Sequence, residues 1–159
     1  MKQDVLPLGR ALAHLAKTYY AVLANKLSHL DFDRYFSVLL LIESEEREGC
    51  TQQDLCDTLK IDKVSMVRMI QYLIDKGYVR KQVNPDNKRE KPLVLTHKAR
   101  RVLPDIHEAV RSVNRSATNG LSATQRKQFE EMLNLAQQNL EALPAERIFI
   151  QYKKNKPKA

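Results

Sequence analysis

The sequence predicts a mainly α-helical protein with a small antiparallel β-wing. Three observations carry that expectation. Apolar residues recur at three- and four-residue intervals toward both ends of the chain, helix-start signals stand at Thr51 and Asp62, and two strand-forming segments flank Asn84-Pro85-Asp86-Asn87-Lys88-Arg89. From Thr51 to Thr96 the order is short helix, turn, second helix and basic two-stranded ribbon, a layout suited to reading duplex DNA.

Leu8, Leu12, Leu15, Tyr19, Val22, Leu27 and Leu30 form one face of a long first helix, with Arg10, Lys17 and Lys26 opposite. That apolar face exceeds what a small reading module can cover, which suggests packing against a second subunit. Asp33 can cap a helix running through Tyr35, Phe36, Val38, Leu39, Leu41 and Ile42, the expected central buried helix, with Gly49 as its end. Thr51 and Asp54 match a capping box for a short helix whose Leu55 and Leu59 face inward. After the turn at Lys60-Ile61, Asp62 caps a helix with Val67, Ile70 and Ile74 as its inward row; Lys63, Ser65, Arg68, Gln71 and Tyr72 are left for the outside or flanks. It stops at Gly77.

Residues 78–83 and 91–96 are of strand-forming type, and Pro92, which cannot donate to a ladder, fits an edge. Thr96 caps a further helix with the stripe Ala99, Leu103, Ile106, Val110 and Val113; Pro104 inside it should kink it or displace its start. Ser122 and Gln125 form a second capping box, opening a helix along Phe129, Leu133, Ala136, Leu140 and Leu143 that Pro144 closes. The tail from Arg147 carries Lys153, Lys154, Lys156 and Lys158 without a carboxylate.

At 159 residues the chain is one domain in size and long enough to bury its own core. Hydrophobic residues at 43% and charged residues at 29% are ordinary, but a formal net charge of +8 is not, and it favours a polyanionic partner. The apolar run from Tyr35 to Ile42 is too short to span a bilayer, and the N-terminus lacks an apolar segment followed by a cleavage site, so a cytoplasmic protein without a membrane partner is expected. Cys50 and Cys56 match neither a CxxC pair nor a zinc ribbon and read as small buried side chains, with redox sensing as the competing role. His14, His29, His97 and His107 are scattered without paired spacing, which argues against a metal site; no cofactor is expected. A Gly-rich phosphate loop, a nucleophile elbow and a clustered acid-base set are all missing, which argues against an enzyme.

Side chains near the N-terminal end of a helix in the major groove can reach base edges, and Lys63, Ser65, Met66 and Arg68 occupy that end here. Arg68 can donate twice to guanine or bind phosphate, Ser65 can donate or accept, and Met66 can touch a thymine methyl. Lys88 and Arg89, just after the ribbon turn, suit a narrow minor groove, while Arg80, Lys81 and Lys91 suit phosphates. Taken singly, each of these cations reads equally as a solvated surface charge.

With the run from Asp62 to Ile70, Lys76-Gly77-Tyr78-Val79, and Asn87-Lys88-Arg89 followed by Leu95-Thr96, the sequence resembles the MarR family of winged helix-turn-helix transcription regulators over nearly its whole length. The wing pattern Asp-x-Arg-x5-Leu-Thr is matched by Arg89, Leu95 and Thr96, with Asn87 in place of its aspartate and Asp86 one residue earlier. The resemblance implies a homodimer with interlocking N- and C-terminal helices, bound to a palindromic site. It also implies a small, often aromatic or phenolic ligand that binds between the dimer core and the reading unit and releases the DNA. His14, Tyr19 and Tyr20 could line such a cleft, although each reads first as a packing or surface residue.

The expected organisation is an N-terminal dimerisation helix over 1–32, a winged helix-turn-helix DNA-binding region over 33–96, C-terminal dimerisation helices over 97–145 and a basic tail over 146–159. The expected function is a sequence-specific, dimeric DNA-binding transcriptional regulator, a repressor of a palindromic promoter site released by a small molecule. The rival is a winged-helix protein-interaction module whose basic surface binds an acidic partner.

Overall fold

A computed structural model describes residues 7–32, 35–47, 49–82 and 91–144. These form six helices and a two-stranded antiparallel sheet: α1 (Leu8–Lys26), α2 (Phe36–Ser44), α3 (Gln52–Leu59), α4 (Lys63–Asp75), β1 (Val79–Lys81), β2 (Leu93–Leu95), α5 (His97–Ala117) and α6 (Ala123–Glu141). Val79 pairs with Leu95, Arg80 with Val94 and Lys81 with Leu93. No helix among the described residues is long and apolar enough to cross a membrane.

Side-chain caps define the helix starts. The Thr51 hydroxyl accepts from the Asp54 amide while the Asp54 carboxylate accepts from the Thr51 amide at 2.7 Å, the reciprocal box expected for α3. Asp62 accepts from the Ser65 amide at 2.9 Å to open α4, Thr96 accepts from the Ala99 amide to open α5, and Ser122 and Gln125 repeat the box at α6. The end of α4 is equally well defined. Gly77, at φ +73°, donates to the Ile74 carbonyl and Tyr78 donates to that of Leu73, so two free carbonyls are satisfied at a position where a β-carbon would be strained.

One core joins every part except α6. Phe36, Val38, Leu39 and Ile42 of α2 are buried together with Leu23 and Leu27 from the end of α1, Phe32, and Ala99, Leu103, Ile106, Ala109 and Val113 of α5. Helix α1 packs on α5, α2 on β2 and α5, α3 on α4, and α4 on β1. The central role expected for α2 therefore holds, although the helix ends at Ser44, before Gly49. Gly49, at φ +84°, instead leads into a single β-bridge between Cys50 and Leu93, whose amide donates to the Cys50 carbonyl at 2.7 Å. The expected cap Asp33 lies outside the described residues, and Tyr35, at the N-cap position, makes no side-chain capping bond.

Helix α5 runs through Pro104 from His97 to Ala117, its start still at the Thr96 cap; Pro104 is exposed, so the carbonyl that lacks its partner amide can bond water. Of the expected apolar stripe at the N-terminus, Leu27 is buried and Tyr19 and Leu30 pack partly against the core, while the remainder is left uncovered, as expected of a face larger than one chain can cover. Leu8, Leu12, Leu15 and Val22 are exposed, and α6 has no fully buried side chain, with only Phe129 and Ala136 half-buried.

Candidate nucleic-acid interface

Helix α4 presents two opposite faces. Met66, Met69, Ile70 and Leu73 are buried, a stripe at i, i+3, i+4 and i+7. Lys63, Val64, Val67, Arg68 and Gln71 are exposed on the other side. This rotates the helix from the expected phase: Val67, placed in the inward row from the sequence, is 47% exposed, while Met66 is 0% exposed. Met66 thus belongs to the core and has no surface to offer a base. The apolar groups at the exposed face are Val64 and Val67.

Ser65 is half-buried and belongs first to the cap. Its hydroxyl and its backbone amide both hydrogen-bond Asp62, holding the Asp62 carboxyl below its ordinary range and the start of α4 rigid. Lys63 and Arg68 are exposed and have no ion-pair partner among the described residues. The Gln71 amide is tied along its own helix to Asp75 at 2.7 Å.

The sheet, which packs on α4 through β1, carries further cations. Arg80 and Lys81 on β1, and Lys91 before β2, are exposed. Val79, Leu93 and Leu95 are buried and fasten the ribbon to the core, and the Gln82 amide donates to the Pro92 carbonyl at 2.8 Å beyond the last strand pair. Lys88 and Arg89, together with Asp86 and Asn87, lie outside the described residues.

A polar cluster centred on Asp31 sits under the junction of α4, β1 and α5. The Tyr78 hydroxyl donates to its carboxylate, Lys98 Nζ stands 3.2 Å away, Lys76 Nζ 4.0 Å away, and the Tyr72 hydroxyl reaches the Asp31 carbonyl at 3.1 Å. Lys98 Nζ also donates to the Lys76 carbonyl at 2.9 Å and lies 4.1 Å from the centre of the Tyr78 ring. The Tyr78 hydrogen bond, then Lys98 and Lys76, hold the Asp31 carboxyl below the usual carboxylate range; burial and the same bond push the Tyr78 phenol up. Sequence spacing could not show this cluster, because its members come from three separated segments, Asp31, the stretch from Tyr72 to Tyr78, and Lys98.

The cysteines are buried free thiols. Burial, aided by Asp54 and Glu45, pushes the Cys50 thiol up to about 11, and burial likewise raises Cys56. Both shifts oppose the thiolate that redox sensing needs. Among the described residues no group of three His, Cys, Asp or Glu side chains could hold a metal ion. Of the candidate cleft residues, His14 is exposed on α1, Tyr19 donates to Asn114 on α5 at 2.7 Å, and Tyr20 stacks on Phe36 with ring centres 6.2 Å apart.

Known proteins share both the central segment and the fold. Residues 33–90 match the model of the MarR family. A MarR transcriptional regulator from Methanosarcina mazei is 27% identical with a TM-score of 0.76, covering 86% of this chain and 98% of its own. A MarR family regulator from Listeria monocytogenes, solved with a 26-mer DNA, is 25% identical with a TM-score of 0.77, covering 84% and 88%. A cysteine-to-serine mutant of E. coli MarR, solved with operator DNA, is 27% identical with a TM-score of 0.72, covering 84% and 95%. With residues 33–90 matched by the family model and its architecture shared almost from end to end, this chain is similar in sequence and fold to the MarR family of winged-helix transcriptional regulators.

Proposed function

We propose that the protein is a dimeric, sequence-selective DNA-binding repressor. The observation that carries this reading is the two-faced α4: one side locked into the core by Met66, Met69, Ile70 and Leu73, the other offering Lys63 and Arg68, with β1 of the basic ribbon packed on the same helix. A rigid helix with a cationic outer face suits the major groove, and a basic hairpin next to it suits the flanking backbone or minor groove. Lys63, Ser65 and Arg68 form the helix contribution, and Lys88 and Arg89 the wing tip. The DNA-bound relatives from Listeria monocytogenes and E. coli support the same use of the shared fold.

The dimer joins the segments 1–32 and 97–145 of two copies, leaving 33–96 to read DNA and the basic tail 146–159 to add phosphate attraction. Its support is the uncovered apolar surface of α1 and α6. Two copies related by a twofold axis place their α4 helices on half-sites about one helical turn apart, hence a palindromic operator. In the cytoplasm, occupancy of that operator blocks a promoter. A small aromatic or phenolic effector releases it by favouring a spacing of the two α4 helices that does not fit successive grooves.

Selection from a random duplex pool, followed by fluorescence anisotropy on the selected fragment and a scrambled one, tests the reading. The expected result is a shared palindrome bound on the order of a thousandfold more tightly than the scrambled duplex. Equal binding to both would leave the rival, a module that meets an acidic protein through its basic face. Selected duplex titrated with phenolic carboxylates tests the effector step, which fails if no ligand lowers affinity.

A further inference from the structure

Between α1 and α6, Val64 and Val67 are the only large hydrophobic side chains that are exposed among the described residues, at 61% and 47%. They stand three positions apart on α4, so their β-carbons are neighbours about 5–6 Å apart, and Arg68 follows Val64 by four on the same face. Among the described residues, neither belongs to the core or packs against it. A β-branched residue on the solvent face of a helix lowers helix propensity and adds no packing.

The surroundings of the pair select its occupant. Lys63 and Arg68 flank the two valines, and neither has an ion-pair partner among the described residues. An apolar protein partner would need a patch many times larger than two valines, about 800 Å² on each side for a stable complex. A polyanion that offers small apolar knobs between its charges fits instead. The major groove of duplex DNA does so through one group, the 5-methyl of thymine.

Resting on the proposed DNA-binding function, we infer that Val64 and Val67 are specificity-determining residues that pack against thymine methyl groups. Each half-site then carries at least one thymine opposite α4, within one or two base steps of the position facing Arg68. The role given to Met66 from the sequence passes to the two valines because the helix is turned the other way. Gln71, tied to Asp75, is not needed for this apolar readout.

Deoxyuridine isolates the claim, since replacing thymine with it removes the methyl and leaves every hydrogen-bonding edge intact. Each thymine of the selected half-site is replaced in turn, and affinity is measured for the wild type, Val64→Ala and Val67→Ala. Both variants alter exposed positions, and unchanged thermal melting checks that they fold. At one or two positions the wild type should lose about fourfold in affinity per methyl, the value of one buried carbon, and the loss should vanish in the matching alanine variant. Wild-type affinity unchanged at every position overturns the inference while leaving the DNA-binding function standing. So does a loss that is equally large in both alanine variants. A protein that cannot tell the selected duplex from a scrambled one overturns both.

Discussion

Lys98 Nζ lies 3.2 Å from the Asp31 carboxylate and 2.9 Å from the Lys76 carbonyl, so one ammonium at the start of α5 ties the segment after α1 to the end of α4. The Asp31 carboxyl is held below its ordinary range by Tyr78 first and by Lys98 and Lys76 with it, so the cluster stabilises the fold only while the carboxylate is charged. That contribution is complete at neutral pH and is lost as pH falls below about 4 and through the depressed folded value. Asp31 is half exposed, so solvent screening limits the cost of Asp31→Asn to about 1 kcal/mol. Thermal melts should show the variant less stable at pH 7, with the gap to wild type closing in acid; a gap that widens in acid would contradict the assignment.

The phase of α4 makes opposite predictions for neighbouring residues. Met66→Ala removes a fully buried side chain and should cost about 2–5 kcal/mol in a denaturant titration. Val67→Ala touches only the exposed face and should change stability by less than about 0.5 kcal/mol. Reversal of that order would restore the inward row of Val67, Ile70 and Ile74.

The thiols should be inert. With the Cys50 thiol pushed up to about 11, roughly one molecule in a thousand carries its thiolate at pH 8. A disulfide reagent should therefore modify both cysteines slowly in the folded protein and rapidly in denaturant. Stoichiometric modification within seconds under native conditions would bring back the redox role.

The uncovered face of α6 should hold two copies together. Leu133→Glu and Leu140→Glu put charge where the chain leaves apolar side chains in water, so each should sediment as a monomer with its helix content retained. Operator affinity should fall at least about tenfold, because two half-sites would no longer be engaged together. A dimer in both variants would move the subunit contact away from α6.

Much of this fold could be read from sequence, because capping is local. Thr51, Asp62, Thr96 and Ser122 each declare a helix start through residues three positions away, and all four cap as expected. The rotation of α4 was ambiguous for a physical reason. Val67, Ile70 and Ile74 satisfy helical spacing as well as Met66, Met69, Ile70 and Leu73 do, and only packing against α3 and β1 chooses between them. The bridge from Cys50 to Leu93 involves one residue on each side and leaves no pattern to detect. The Asp31 cluster is silent for the same reason, since distance along the chain carries no hint of proximity in space.

The shared core also decides what can be cut from this protein. Phe32 lies edge-on to Tyr78, and Leu23, Leu27 and the buried row of α5 close over α2 from outside the family-matched segment. A fragment trimmed to residues 33–96 would open that interior to water and forfeit both Asp31 and Lys98. The proposed reading unit is therefore not a portable cassette: if the outer face of α4 carries the specificity as proposed, grafting it onto another regulator means transplanting that face residue by residue, within a scaffold that supplies its own flanking helices.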